Sequence, residues 1–357
     1  MRAALDTSAL YTTRAGIARH IRGLFAGLRL LTRKDQEFIE FAWKVTNLEY
    51  HQPQRAFKTI YRELIWAKLL APGKLRKLKI DLLHSPGAVL ISPPRTIRHV
   101  ATLHDLAVLR YPERFRPWHR WSSKRQFLRV LAADRVICIS RFTAEEAMRL
   151  IGLPAARIEV IYNGCDFHRE ETTGKEQKPS FDLPGEFFLF VGMLDPGKNL
   201  SLLRDVYHSA AERNVRLPPL LIVGARWVGV ANEGAPPEDW CYLGHQPDEI
   251  LLYLYRRALA LVFPSKYEGF GLPVAEAMAA GCPVVCSPVS SLPEVGGEAV
   301  CFSEMDPEAY LTSMQRLCRD STWRSDLIQR GFEQSRKFSW KTCAAATLSV
   351  YREVLKT

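Results

Sequence analysis

The chain has 357 residues, 47% hydrophobic and 24% charged, a composition that excludes long-range disorder and, at roughly 150 residues per domain, fits two domains. Its net charge of +11 is uneven: residues 1–168 hold 29 Lys/Arg against 14 Asp/Glu, a net +15, and the remainder holds 20 against 24, a net −4. Such asymmetry predicts an anionic partner for the first part, whether nucleic acid, an anionic membrane surface or a phosphorylated substrate.

Short apolar runs alternate with amphipathic stretches, the pattern of parallel sheets covered by helices. Strands are predicted at Ala3–Asp6, Phe38–Val45, Ile80–His84, His99–Leu103, Arg135–Ile139 and Glu159–Tyr162, with helices over 15–31, 55–70, 119–132 and 142–151. A polar stretch without apolar periodicity follows, from Arg169 to Pro179, and reads as a linker. The pattern then restarts, with strands at Phe187–Val191, Leu220–Val223, Trp240–Leu243, Ala260–Phe263, Val284–Cys286 and Ala299–Phe302. Helices are predicted over 199–213, 247–257, 274–280, 307–319 and 340–355. The fold class is therefore α/β, with two doubly wound halves facing a cleft: a first domain at 1–168, a linker at 169–183 and a second domain at 184–338. Residues 339–357 are expected to form a helix packing back towards the first domain.

The start, MRAALDTSALY, has Arg2 and Asp6 and no apolar run after them, so no secretory signal is expected. No run of 18 apolar residues is present, so no membrane-spanning helix is expected either. Eight cysteines form no C-x-x-C pair, and Cys282 and Cys286 have no second pair or His cluster to complete a metal site. Reduced thiols in the cytoplasm are the expectation.

Phe263 to Cys286, FPSKYEGFGLPVAEAMAAGCPVVC, is the most informative segment. A strand end feeds the glycine loop Glu268-Gly269-Phe270-Gly271-Leu272, Pro273 suits a first helical position, and Gly281 is a natural stop. Free N–H groups and the positive end of the helix dipole converge on an anion at such a place. Glu276 can accept two hydrogen bonds from a diol such as a ribose, or it is simply an acidic residue favoured near a helix start. Glu268 precedes the glycines and reaches whatever projects beyond a phosphate.

These residues resemble glycosyltransferase family 4, the retaining nucleotide-sugar transferases of GT-B fold, through Glu268, the glycine loop and Glu276 eight positions later. Further segments match along nearly the whole chain: Thr102-Leu103-His104-Asp105-Leu106, Ile139-Ser140-Arg141-Phe142-Thr143, Ile161-Tyr162-Asn163-Gly164-Cys165-Asp166, Val191 to Asn199, and Ser291-Leu292-Pro293-Glu294-Val295.

The resemblance implies roles residue by residue. Glu276 binds the nucleotide ribose, and Glu268 contacts the donor sugar near the reacting centre. The backbone of Gly269, Phe270, Gly271 and Leu272 holds diphosphate and sugar hydroxyls, and Lys198 neutralises the diphosphate. Many members carry Arg where this chain has Met193; Arg226 is an alternative second cation, or a surface arginine. Gly16, before a helix, lets a phosphate approach closely, or is a plain turn glycine. His104 matches the family's active-site histidine, and Asp105 either orients it or caps the next segment.

The task such a site faces is the charge developing on a nucleoside diphosphate leaving group, met by amides, a helix dipole and Lys198. No Asp-x-Asp is present, in keeping with a site that needs neither metal nor cofactor. The loop and histidine segments look most like mannosyltransferases of surface-polysaccharide assembly. GDP-mannose is thus the first expectation for the donor and a UDP-sugar the second, with a glycan or lipid-linked acceptor.

Basic and aromatic residues interleave over 53–79, where Trp66 and Leu69 accompany Lys68, Lys74 and Lys77. They do so again over 110–129, where Trp121 and Phe127 accompany Arg120, Lys124 and Arg125. This pattern suits peripheral contact with an anionic membrane. Competing readings are a nucleotide-sugar epimerase or a phosphorylase on the same scaffold, and a nucleic-acid-binding protein. The last lacks a recognisable binding module, so no nucleic-acid partner is expected.

Overall fold

The computed structural model describes residues 1–11, 16–44, 61–87, 91–167, 177–225, 237 and 239–356. Residues 53–60, most of the expected linker and Arg226 lie outside them. The described chain forms two compact units, residues 1–164 with 339–357, and residues 165–338.

In chain order the first unit runs β1 (Arg2–Asp6), α1 (Gly16–Leu31), β2 (Glu37–Phe41), a π-helix over Arg62–Leu70 leading into α2 (Ala71–Lys77), β3 (Leu82–Ser85) and β4 (Arg98–Leu103). It continues through α3 (Ala107–Arg110), α4 (Pro117–Leu131), β5 (Arg135–Cys138), α5 (Arg141–Ile151) and β6 (Ile158–Val160). The second unit runs β7 (Phe188–Val191), α6 (Leu200–Glu212), β8 (Leu220–Val223), β9 (Trp240–Gly244), α7 (Asp248–Arg257), β10 (Ala260–Phe263) and α8 (Leu272–Ala280). It closes with β11 (Val284–Cys286), α9 (Leu292–Gly296), β12 (Cys301–Phe302), α10 (Pro307–Arg319) and α11 (Ser321–Ser335), after which α12 (Trp340–Lys356) rejoins the first unit.

Each unit holds one six-stranded sheet, ordered β2-β1-β3-β4-β5-β6 and β12-β11-β10-β7-β8-β9. The pairings are parallel throughout, Leu189 opposite Leu261 and Leu261 opposite Val284 in the second sheet. Parallel strands are covered on both faces, which is why Leu220–Val223 and Ala260–Phe263 are wholly buried apolar runs. In the first unit, Leu24, Phe25 and Leu28 of α1 share a core with Cys343, Ala344, Leu348 and Tyr351 of α12. In the second, Phe190, Ile222 and Val262 pack under α6 and α10.

The departures from expectation are local. The expected helix over 55–70 is, from Arg62, a π-helix, and α2 continues it through Pro72 and Gly73. Pro72 has no N–H to donate into a regular i→i−4 ladder, which widens the turns before it. The α11 helix was not expected, since its sequence is polar with Gly331 inside; Asp320 starts it by accepting from the Trp323 N–H at 2.8 Å.

Candidate functional site

Three loops meet at the carboxyl ends of strands in the second unit. After β7, Asp195 accepts a hydrogen bond from the Gly197 N–H at 2.7 Å, and the turn Pro196–Lys198 leads through left-handed Asn199 into α6. After β10, the Lys266 N–H donates to the Gly197 carbonyl at 2.8 Å, tying that loop to the first. The Ser291 hydroxyl, before α9, donates to the Glu268 carbonyl at 3.0 Å. These bonds carry Lys198 Nζ to 2.5 Å from Glu268 Oε1 and hold it 5.1 Å from the Phe263 ring. Both partners of this ion pair are mostly buried, so their attraction is screened less than a surface pair's.

The glycine loop ends at Gly271, whose φ of +88° is the left-handed conformation that glycine adopts freely. A Cβ there would also sit 2.6 Å from Leu292 Cδ2. Phe270 turns inward and packs edge-on against Phe338 with ring centres 5.3 Å apart, so this residue offers the site its backbone rather than its ring. Leu272 begins α8, whose first N–H groups have no carbonyl within the helix to bond. The sequence Glu268 to Leu272 is thus a partly buried ion pair followed by a helix start that attracts anions.

Glu276 is the fifth residue of α8, past the first turn, and only 3% exposed, so attraction to the helix dipole does not account for it. The Tyr255 hydroxyl of α7 donates to its Oε2 at 3.3 Å. A carboxylate so buried needs partners, and this phenol is one.

In the first unit, His104 lies one residue beyond β4 and donates from Nε2 to the Pro86 carbonyl at 2.9 Å. A carbonyl only accepts, so the proton sits on Nε2 and Nδ1 keeps a lone pair. Burial pushes the His104 pKa below 6.5, against opposing effects of the Pro86 bond and Asp105, so the ring is neutral near pH 7. Asp105 also accepts from the Ala107 N–H, the first of α3, at 2.9 Å. Gly16 is the exposed first residue of α1. Other buried polar groups of this unit escaped sequence reasoning. His84 bonds Tyr351 at 2.6 Å and Thr102 at 2.8 Å, and His20 bonds Asn163 at 2.8 Å.

No group of three or more His, Cys, Asp or Glu among the described residues is arranged to hold a metal ion. Nor is any helix among them long and apolar enough to cross a membrane.

Comparison with known proteins bears on these sites. Residues 16–169 match the family model "Glycosyltransferase Family 4", and residues 172–334 match "Glycosyl transferases group 1". The chain is 34% identical over 304 residues to O-antigen chain mannosyltransferase B of Escherichia coli, covering 80% of this chain and 78% of that protein. It is 29% identical over 274 residues to the serotype-specific mannosyltransferase WbdA of Escherichia coli, covering 72% of this chain but 34% of that relative's length. In structure it resembles sucrose-phosphate synthase of Thermosynechococcus elongatus, with a TM-score of 0.74 at 21% identity, covering 100% of this chain and 99% of that one. The chain belongs to glycosyltransferase family 4 and is a mannosyltransferase-like enzyme of GT-B fold.

Proposed function

We propose that the enzyme moves a hexose, mannose in the first instance, from a nucleoside diphosphate sugar to a glycan or lipid-linked acceptor of cell-envelope polysaccharide. GDP-mannose is the favoured donor and a UDP-sugar the second. The observation that carries the reading is the Lys198–Glu268 pair at the head of the glycine loop and α8. Without a donor, Lys198 neutralises Glu268. An entering diphosphate competes for the ammonium, joins the N–H groups at Gly271 and Leu272, and releases the Glu268 carboxylate to accept from sugar hydroxyls. Glu276 takes the ribose diol, Gly16 leaves space beside a phosphate, and neutral His104 accepts from a sugar hydroxyl through Nδ1.

The chemistry follows from charge. As the bond between the anomeric carbon and the phosphate oxygen breaks, its electron pair leaves with the nucleoside diphosphate. Lys198 and the helix dipole stabilise that charge. The acceptor oxygen bonds to the same face, and its proton passes to the departing phosphate, so the anomeric configuration is retained. The cations in this account are the protein's own, without a metal.

The surface suited to an anionic acceptor or membrane belongs to the first unit. On α4, Trp121 is 45% and Leu128 67% exposed beside exposed Arg120 and Lys124, and the Arg125 guanidinium lies 4.7 Å from the Trp121 ring. On the π-helix, Leu69 is 69% exposed next to exposed Lys68. Such surfaces support peripheral binding to an anionic membrane, at its cytoplasmic face.

A thermal-shift screen against GDP, UDP, GDP-mannose and UDP-glucose tests the donor, because a ligand of the folded state raises its melting temperature. Guanine compounds should give the largest shifts, and nucleoside diphosphate release should require acceptor. Sugar epimerisation without acceptor would overturn the transferase reading. Co-sedimentation with anionic but not neutral vesicles is expected; equal binding to both would overturn the membrane claim.

A further inference from the structure

The Asn163-Gly164 segment and Trp340 have no part in the reaction as described, yet they surround one buried side chain of α1. His20 is 2% exposed, and its Nδ1 stands 2.8 Å from Asn163 Oδ1. An amide oxygen only accepts, so the His20 proton is on Nδ1 and the lone pair on Nε2. Nε2 has no hydrogen-bond partner among the described residues. A buried acceptor left unsatisfied is costly, so a ring retained there for packing alone would be better apolar.

Two other rings touch His20. His104 crosses it at 86° with ring centres 4.8 Å apart, and Trp340 lies 5.9 Å away at 67°. Trp340 is itself fixed by missing side chains. A Cβ on Gly23 would fall 2.1 Å from Trp340 Cε2, and one on Gly164 would fall 2.6 Å from Cγ. Asn163 and Gly164 thus serve one purpose, the first bonding His20 and the second admitting the indole beside it.

His104 needs such a neighbour. Its bond to the Pro86 carbonyl fixes one atom of the ring but leaves the plane free to rock about that bond. A second ring crossing it edge to face removes that freedom. We infer that His20 is a positioning residue for His104, its own ring locked by Asn163 and Trp340, and that this lock aims His104 Nδ1 at the transferred sugar. The inference rests on the proposed role of His104 in sugar contact. It adds that the Asn163 hydrogen bond acts on turnover rather than on donor binding, because the ring it locks is the one that crosses His104.

Steady-state kinetics of Asn163→Ala, Asn163→Asp and His20→Phe, each alone and with His104→Ala, test it in the full chain. Asn163→Ala should lower kcat about tenfold with donor KM within about threefold, whereas Asn163→Asp, which still accepts from Nδ1–H, should recover most of the loss. In the His104→Ala background, neither Asn163→Ala nor His20→Phe should cost anything further. Losses that add to that of His104→Ala would overturn the inference, as would full kcat in both single variants; His20→Phe decides if Asn163→Ala fails to fold. Wild-type transfer by His104→Ala itself would instead remove the histidine from the reaction, a result distinguishable from the others.

Discussion

Lys198 and Glu268, 70 positions apart in the chain, meet at 2.5 Å because one backbone bond, Lys266 N–H to the Gly197 carbonyl, ties their loops together. If the pair neutralises the diphosphate and holds the sugar, Lys198→Ala and Glu268→Ala should each lower transfer at least about a hundredfold, or roughly 3 kcal/mol of barrier. Circular dichroism should show both variants folded. Turnover near wild type in either would exclude that residue from the chemistry.

Tyr255→Phe removes the phenol that donates to Glu276 while keeping the ring. A hydrogen bond to a charged group is worth about 1.5–3 kcal/mol, so donor KM should rise about tenfold or more. The value of kcat should stay within about twofold, since the ribose lies away from the reacting bond. Glu276→Ala should raise donor KM further. Equal kcat losses in both variants would argue against ribose binding.

Buried histidines make the first unit acid-sensitive. Burial is the chief cause that lowers the pKa of His84 to about 3 and of His99 to about 4, against 6.5 when unfolded. The unfolded chain therefore takes up protons first, and this stability is complete above pH 6.5 and lost as pH falls towards those values. At pH 5 His84 alone contributes a loss of about 2 kcal/mol. The melting temperature should fall between pH 7 and pH 5, and His84→Gln should flatten that fall; an unchanged slope would refute the assignment.

Gly23→Ala should be severely destabilising, since its methyl carbon would overlap the Trp340 ring at 2.1 Å. A cost of about 3 kcal/mol is expected from forced overpacking. Urea denaturation checks it. Gly73→Ala, with nothing within 4 Å of its Cβ, is the matched control and should be near neutral.

Sequence patterns are most informative where burial is two-sided and local. The expected strands at Leu220–Val223, Ala260–Phe263 and Val284–Cys286 have those same limits in the structure, because an apolar run between turn signals leaves little freedom. The helix α11 was illegible because its face is polar and its cap, Asp320, looks like any acidic residue. At the site, the loop and both glutamates were legible as a pattern in one short segment. What that pattern does not contain is pairing across the fold. Neither the Lys198–Glu268 contact, nor Tyr255 beneath Glu276, nor His20 beside His104 leaves a periodic trace, since each joins side chains distant in sequence.

The return of α12 to the first unit has a consequence for synthesis. Leu24, Phe25 and Leu28 of α1 share their core with residues 343–354 as well as with the sheet, and residues 343–354 are translated after the whole second unit. A nascent chain therefore finishes its second unit first and holds the first incomplete, with the part of this core that α12 fills still open, for the time it takes to add some 170 residues. At about 5–20 residues per second that wait is roughly 10–40 seconds, long enough for chaperones to engage the open part of the core.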